Sequence, residues 1–305
     1  MNDEIASAIE SCRAALDAAE MRACADALRS KGFTDSSCVT LIEQVGIEVG
    51  AADRIADLRD TSAEQRHAAI LERYLLLLTV SRYGARIAQG RMTDGVRQCL
   101  ADELRFLASP SDQDTSKLLA PFDGFTAMAK VVTLRRFPVG QLHFELSGIP
   151  LSWLLHLGPA RLTKVLFYLA GHGRARRPFL FHHVAWRRRN RLFLSEQEQN
   201  RSYFRMAQSL ALYPEVKGLL TESWLHSPET LRVSPHLAWL NRPFLEHGGL
   251  VVELGEAPEA SGILIGSLER RRLYDQGQFR PTTAMAIWPR AAMLDWARRH
   301  PEFGD

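Results

Sequence analysis

The first third of the chain carries its apolar residues at helical spacing. Ile5, Ile9, Ala15, Leu16, Met21, Ala25 and Leu28 recur in steps that keep one face apolar, and Gly32 stops the run. The pattern predicts one or two helices over 2–30. Leu41, Ile42, Val45, Ile47 and Ile55 continue it over 36–58. Thr61 and Glu64 stand in capping-box relation ahead of a long helix over 62–89, ended by Gly90, and 93–108 predicts another helix. Residues 1–108 therefore predict an all-helical unit.

The period changes after a polar, Pro-bearing stretch, Ser109-Pro110-Ser111-Asp112-Gln113-Asp114, which predicts a linker over 109–120. Val131 to Leu146 is rich in β-branched and aromatic residues around Pro138-Val139-Gly140, the pattern of two strands and a turn. Leu151 to Ala170 predicts one or two buried helices, and Pro178 to Trp186 a short strand. Ser195 and Glu198 form a second capping box, opening a helix to about Leu212. Val216, Leu219, Leu220, Trp224 and Leu225 predict a helix over 214–226. Leu250–Leu254, Gly262–Gly266 and Phe279–Trp288 read as strands, Leu268–Gln276 and Arg290–Arg299 as helices. The fold class expected is α+β. A helical N-terminal unit precedes a mixed domain over 121–305 with about five or six strands.

Composition sharpens this division. Residues 1–120 hold 14 basic and 19 acidic residues, whereas 121–305 hold 24 and 16. Every Cys (Cys12, Cys24, Cys38, Cys99) lies in the first unit, and every Trp in the second. The 46% apolar content is that of a globular protein and excludes a disordered chain. The Cys show no zinc spacing, so buried thiols are expected and a metal is not. The N-terminus, Met-Asn-Asp-Glu, lacks an apolar signal segment, and Tyr74 to Val80 is too short an apolar run to span a bilayer. A cytoplasmic protein with no membrane association is expected.

Three groups of residues carry candidate chemistry. Glu222 and His226, four apart, would share a face if helical and work as an acid–base pair or metal ligands. His182 and His183 end a strand, where side chains often feed a site, and His143 and Glu145 would share one strand face. Residues 174–205 form a basic stretch with Arg174, Arg176, Arg177, Arg187, Arg188, Arg189, Arg191, Arg201 and Arg205 among aromatic residues. Such a surface suits cofactor phosphates or single-stranded nucleic acid.

The segment Gly262 to Pro289 resembles the C-terminal corner of the GNAT superfamily of N-acetyltransferases. It combines a short apolar strand, a helix holding Arg270-Arg271-Arg272-Leu273-Tyr274, then Gly277, Phe279 and a last strand ending at Trp288. The likeness covers under a tenth of the chain. Gly277 falls one place early, and Gly171-His172-Gly173 lacks the Arg or Gln that leads the family's phosphate loop. The resemblance implies an acyl-CoA-dependent acyltransferase acting on a small amine or alcohol. Tyr274 would protonate the departing thiolate, and His183, Glu222 or His226 would be the base. Arg174, Arg176, Arg177, Arg187 and Arg188 would hold the cofactor phosphates. The alternatives are a binding module whose 174–205 face takes nucleic acid or an acidic partner, and a metal-dependent enzyme using the His and Glu residues.

Overall fold

The structure is a computed structural model that describes residues 2–45, 47, 65–109, 122–172, 178–184, 195–256, 263–264 and 267–304. The expected linker from 110 to 120, the 61–64 capping box and all of Arg174, Arg176, Arg177, Arg187 and Arg188 lie outside the described residues. By its contacts the chain divides into two units, 1–143 with 184–194, and 144–183 with 195–305.

The first unit is helical, and the period over 1–108 predicts α1 (Asn2–Leu16), α2 (Ala19–Ser30), α3 (Asp35–Gln44), α4 (Gln65–Gln89) and α5 (Asp94–Ala108); α6 (Phe122–Val132) lies beyond that range and takes in Val131 and Val132, which the sequence pattern assigns to a strand. Helix α4 is apolar on every side from Tyr74 to Val80 because it runs through the middle of the unit. Arg73, at the start of that run, donates Nε to the Leu107 carbonyl (3.0 Å) and Nη2 to the Ala108 carbonyl (2.9 Å). A guanidinium there satisfies carbonyls that the end of α5 leaves without partners and meets the negative end of its dipole. Phe125, Met128, Val131 and Val132 of α6 belong to the same core, so the helical core continues past the change in composition.

The sheet has six strands in the order β1-β2-β3-β4-β6-β5. These are β1 (Arg136–Pro138), β2 (Leu142–Ser147), β3 (Phe179–Val184), β4 (Gly218–Ser223), β5 (Leu250–Glu256) and β6 (Thr282–Pro289). Strands β3 and β4 run parallel, joined through α9 (Glu196–Leu212), while β6 is antiparallel to both β4 and β5. Helices α7 (Leu151–His156) and α8 (Pro159–Gly171) precede β3. Ser195 caps α9 by accepting from the Glu198 amide, at the position its sequence pattern predicts.

Two expectations fail here. Residues 214–226 are not a helix. They form strand β4 and a 3-10 turn, Trp224–His226. A strand buried on both faces reads as an unbroken apolar run, which periodicity alone cannot separate from a helix. The strand expected over Gly262–Gly266 is also absent where it can be judged, since Ile263 and Leu264 lie in a turn. Beyond β4, α10 (Pro228–Val233), a 3-10 turn at Pro235–Leu240 and α11 (Arg242–Glu246) lead to β5, and α12 (Leu268–Asp275) and α13 (Arg290–Arg299) flank β6.

Both faces of the sheet in the second unit are covered. On one, Phe179, Leu220, Leu250, Val252, Met285 and Ile287 pack with Trp153, Leu157, Leu162, Val165 and Leu169 of the α7–α8 region. On the other, Trp288 packs against Tyr203, Phe244 and Trp296, with ring centroids 5.7, 5.6 and 5.2 Å away. The buried indole finds its partner in the His247 carbonyl, 3.0 Å from Nε1. Gly218 opens β4 at φ +149°, and a Cβ there would lie 2.1 Å from the Trp288 carbonyl oxygen. Only glycine allows this approach of β4 to the end of β6.

Candidate functional site

Strand alternation decides which candidates meet. The β3–β4 register pairs Leu180 with Leu219 and Phe181 with Leu220. Continued along the strands, it sets His182 beside Thr221, whose hydroxyl lies 3.5 Å from the His182 carbonyl, and His183 beside Glu222. His183 and Glu222 therefore share the face of Phe181 and Leu220, at the carboxyl ends of two adjacent parallel strands. Such ends are where open sheets with helical crossovers bind ligands.

Glu145 joins them from β2. Its Oε1 lies 3.1 Å from His183 Nε2, with both side chains only partly exposed. A carboxylate at Nε2 favours the tautomer with the proton on that nitrogen. Phe181 packs against the imidazole, ring centroids 4.7 Å apart, and Trp153 packs against Phe181 at 6.0 Å. The imidazole thus has an orienting carboxylate, an aromatic neighbour and partial access to solvent. Glu222 has its carboxyl pushed up by burial, opposed by a hydrogen bond from Thr283. It is more readily protonated than an ordinary glutamate.

His226 belongs elsewhere. Its Nδ1 lies 2.6 Å from Asn241 Oδ1, and Asn241 Nδ2 donates to the His226 carbonyl at 3.0 Å. Its ring meets Phe244 and His182 edge-on, at 5.4 and 6.2 Å between centroids. Burial lowers its pKa to about 4, so it is neutral at neutral pH. His182 is also held well below its ordinary value by burial, helped by its two histidine neighbours, and neither of its ring nitrogens has a hydrogen-bond partner among the described residues. The expected Glu222–His226 pair on one helical face therefore does not form, because the segment that holds them is a strand and a turn.

His143 and Glu145 also part company. His143 Nε2 lies 3.8 Å from Glu103 of α5, while Glu145 turns to His183. Sequence reasoning placed Glu145 beside His143 and missed its pairing with His183, which depends on how β2 and β3 adjoin. Alternation within each strand did give the raw material, since both residues sit on partly exposed positions near strand ends.

Tyr274 sits in α12, half-buried in a small apolar cluster of Ile263, Leu264 and Phe279 with Trp224, Val233 and Leu273. Trp224 follows Glu222 by two residues, so this cluster adjoins the end of β4. Arg270 ties it together, donating Nε to the Ile263 carbonyl at 2.7 Å and Nη1 to Ser234 Oγ at 3.1 Å while lying over the Trp224 ring. The turn after α12 needs Gly277, which takes φ +70°.

Among the described residues no group of three or more His, Cys, Asp or Glu is arranged to hold a metal ion. No helix among them is long and apolar enough to cross a membrane. Comparison with protein-family models, curated proteins and solved structures finds no match to this chain.

Proposed function

We propose that the second unit is an acyltransferase that moves an acyl group from an acyl-CoA thioester to a small amine or alcohol, with His183 as general base. The observation that carries this reading is the Glu145–His183 contact at 3.1 Å, beside Glu222 at the carboxyl ends of β3 and β4. The His183 imidazole takes the proton of the attacking amine or hydroxyl as that nucleophile's lone pair closes on the acyl carbonyl. Glu145 holds the ring and stabilises the imidazolium that forms, and Glu222, the neighbour across the strands, adds to that field when ionised. General base help of this kind supplies about 10²–10⁴-fold. Tyr274 is the proton donor for the departing thiolate, a role that rests on the resemblance of 262–289 to N-acetyltransferases.

The N-terminus of α9, which follows β3, does not offer a phosphate cradle. The N-terminus of α9 is capped by Ser195 and carries Glu196 and Glu198 in its first turn, which repel an anion. The phosphates of the thioester substrate are therefore assigned to Arg174, Arg176, Arg177, Arg187 and Arg188, on sequence alone. The test is a thermal-shift titration with acetyl-CoA and CoA against nucleotides and divalent metals. Ligand at about 100 times its dissociation constant adds about 2.7 kcal/mol of stability. Stabilisation by CoA species alone supports the reading, and its absence at millimolar ligand overturns it.

A further inference from the structure

Arg73 and Arg270 are the deeply buried arginines among the described residues, each 6% exposed. Their surroundings differ in one respect. Arg73 donates to two carbonyls and also has the Glu20 carboxylate 3.5 Å from Nη1. Arg270 donates Nε to the Ile263 carbonyl at 2.7 Å and Nη1 to Ser234 Oγ at 3.1 Å, and Nη2 has no hydrogen-bond partner among the described residues. No carboxylate among them pairs with it. Burial pushes its pKa down, and no charged neighbour opposes the shift. A buried cation is ordinarily paired, because taking a lone charge out of water is costly.

Ser234 supplies a second donor. It is buried, and its oxygen accepts from Arg270 Nη1, so its own proton is available to another acceptor. The surround is apolar. The Arg270 guanidinium carbon lies 5.0 Å from the Trp224 ring centroid, and Ile263, Leu264, Phe279 and Leu273 belong to the same cluster. Trp224 and Leu273 are only partly buried, so the cluster reaches solvent there.

N–H and O–H groups without an acceptor, around one fixed positive charge, are complementary to an oxyanion. The planar fork of a guanidinium matches a carboxylate. Charge balance points the same way. One carboxylate neutralises one guanidinium, whereas a phosphate dianion leaves a negative charge over in an apolar surround. Trp224 and Leu273 favour an apolar body next to the charged end.

We propose that Arg270 and Ser234 form a binding site for a monocarboxylate with an aromatic or apolar body, the carboxylate held by Arg270 Nη2 and the Ser234 hydroxyl and the body beside Trp224 and Leu273. The site is independent of the acyl-transfer reading, and equilibrium binding tests it without any turnover.

The test is isothermal titration calorimetry of the full chain with sodium benzoate, sodium phosphate and sodium chloride at matched ionic strength, with a thermal scan in each. Benzoate is expected to bind saturably at one site and to raise the melting temperature, and phosphate and chloride to bind far more weakly. Ser234→Ala removes one donor and keeps the guanidinium. Arg270→Lys keeps the charge and loses the fork. Each is expected to weaken benzoate binding by about tenfold or more. A guanidinium that only ties the cluster together predicts lower melting temperatures for both variants with benzoate affinity unchanged, and that result overturns the proposal. So does the absence of saturable benzoate binding to the wild type, and so does phosphate binding more tightly than benzoate. Should Arg270→Lys fail to fold, the benzoate affinity of Ser234→Ala decides alone.

Discussion

Glu145 Oε1 lies 3.1 Å from His183 Nε2, a carboxylate of β2 orienting an imidazole of β3. Removing the carboxylate while keeping its shape separates orientation from packing. Glu145→Gln is expected to leave the unfolding midpoint within about 1 kcal/mol of the parent, since the pair is partly exposed. It is expected to lower acyl-transfer kcat by about tenfold or more, with KM little changed. Steady-state kinetics alongside urea unfolding checks both halves.

His182 and His226 predict an acid-sensitive second unit. A histidine held below its ordinary value in the folded state is protonated first in the unfolded chain. Its stabilising effect is complete above the unfolded value near 6.5 and is lost as pH falls, for His226 until about 4. For this fully buried group the loss is on the order of 3 kcal/mol. Urea unfolding followed by Trp fluorescence is expected to show the midpoint falling steadily between pH 6.5 and 4.5. A flat midpoint over that range contradicts the burial of the pair.

Asn241 holds His226 from two sides, accepting from Nδ1 and donating to the backbone carbonyl. Asn241→Ala leaves both groups buried without partners, and an unsatisfied buried polar group costs about 1–3 kcal/mol. The variant is expected to lose at least that much in denaturant unfolding, with its far-ultraviolet spectrum retained.

Glu222 shifts the other way. Its carboxyl is raised by burial, so its ionised form destabilises the fold at any pH above the ordinary carboxylate range, and protonation relieves this as pH falls. Glu222→Gln is expected to raise the melting temperature at pH 7–8 and to have no such effect at pH 4. Differential scanning calorimetry at the two pH values reads the sign.

Cys12 and Cys24 test the first unit. Burial pushes the Cys12 thiol up to about 12 and Cys24 to about 11, and Cys12 Sγ donates to the Leu104 carbonyl. Little thiolate forms at pH 8, so both are expected to resist iodoacetamide until denaturant opens the helical unit. Peptide mapping of the alkylated protein reads each site.

Much of this architecture was legible from local pattern. Helices α1 to α5 follow from their apolar period, and Ser195 stands where its capping pattern puts it. The central strand β4 was not legible. Leu219 and Leu220 are buried on opposite faces of the sheet, so neither alternation nor helical period marks them, and tertiary pairing with β3 and β6 decides. The site shows the same limit. His183 and Glu222 could be named as chemistry-bearing residues at the ends of elements. Their shared face follows only from the β3–β4 register, and the partner of His183 comes from β2, 38 positions earlier.

The most direct test of the proposed chemistry is thiol release from acetyl-CoA in the presence of a panel of amines and alcohols, wild type against His183→Ala. With a responding acceptor, the account predicts a fall of about 10²-fold or more in turnover, with acetyl-CoA stabilising both proteins equally in the thermal scan. Turnover by His183→Ala within a few-fold of wild type would contradict it and remove His183 from the reaction.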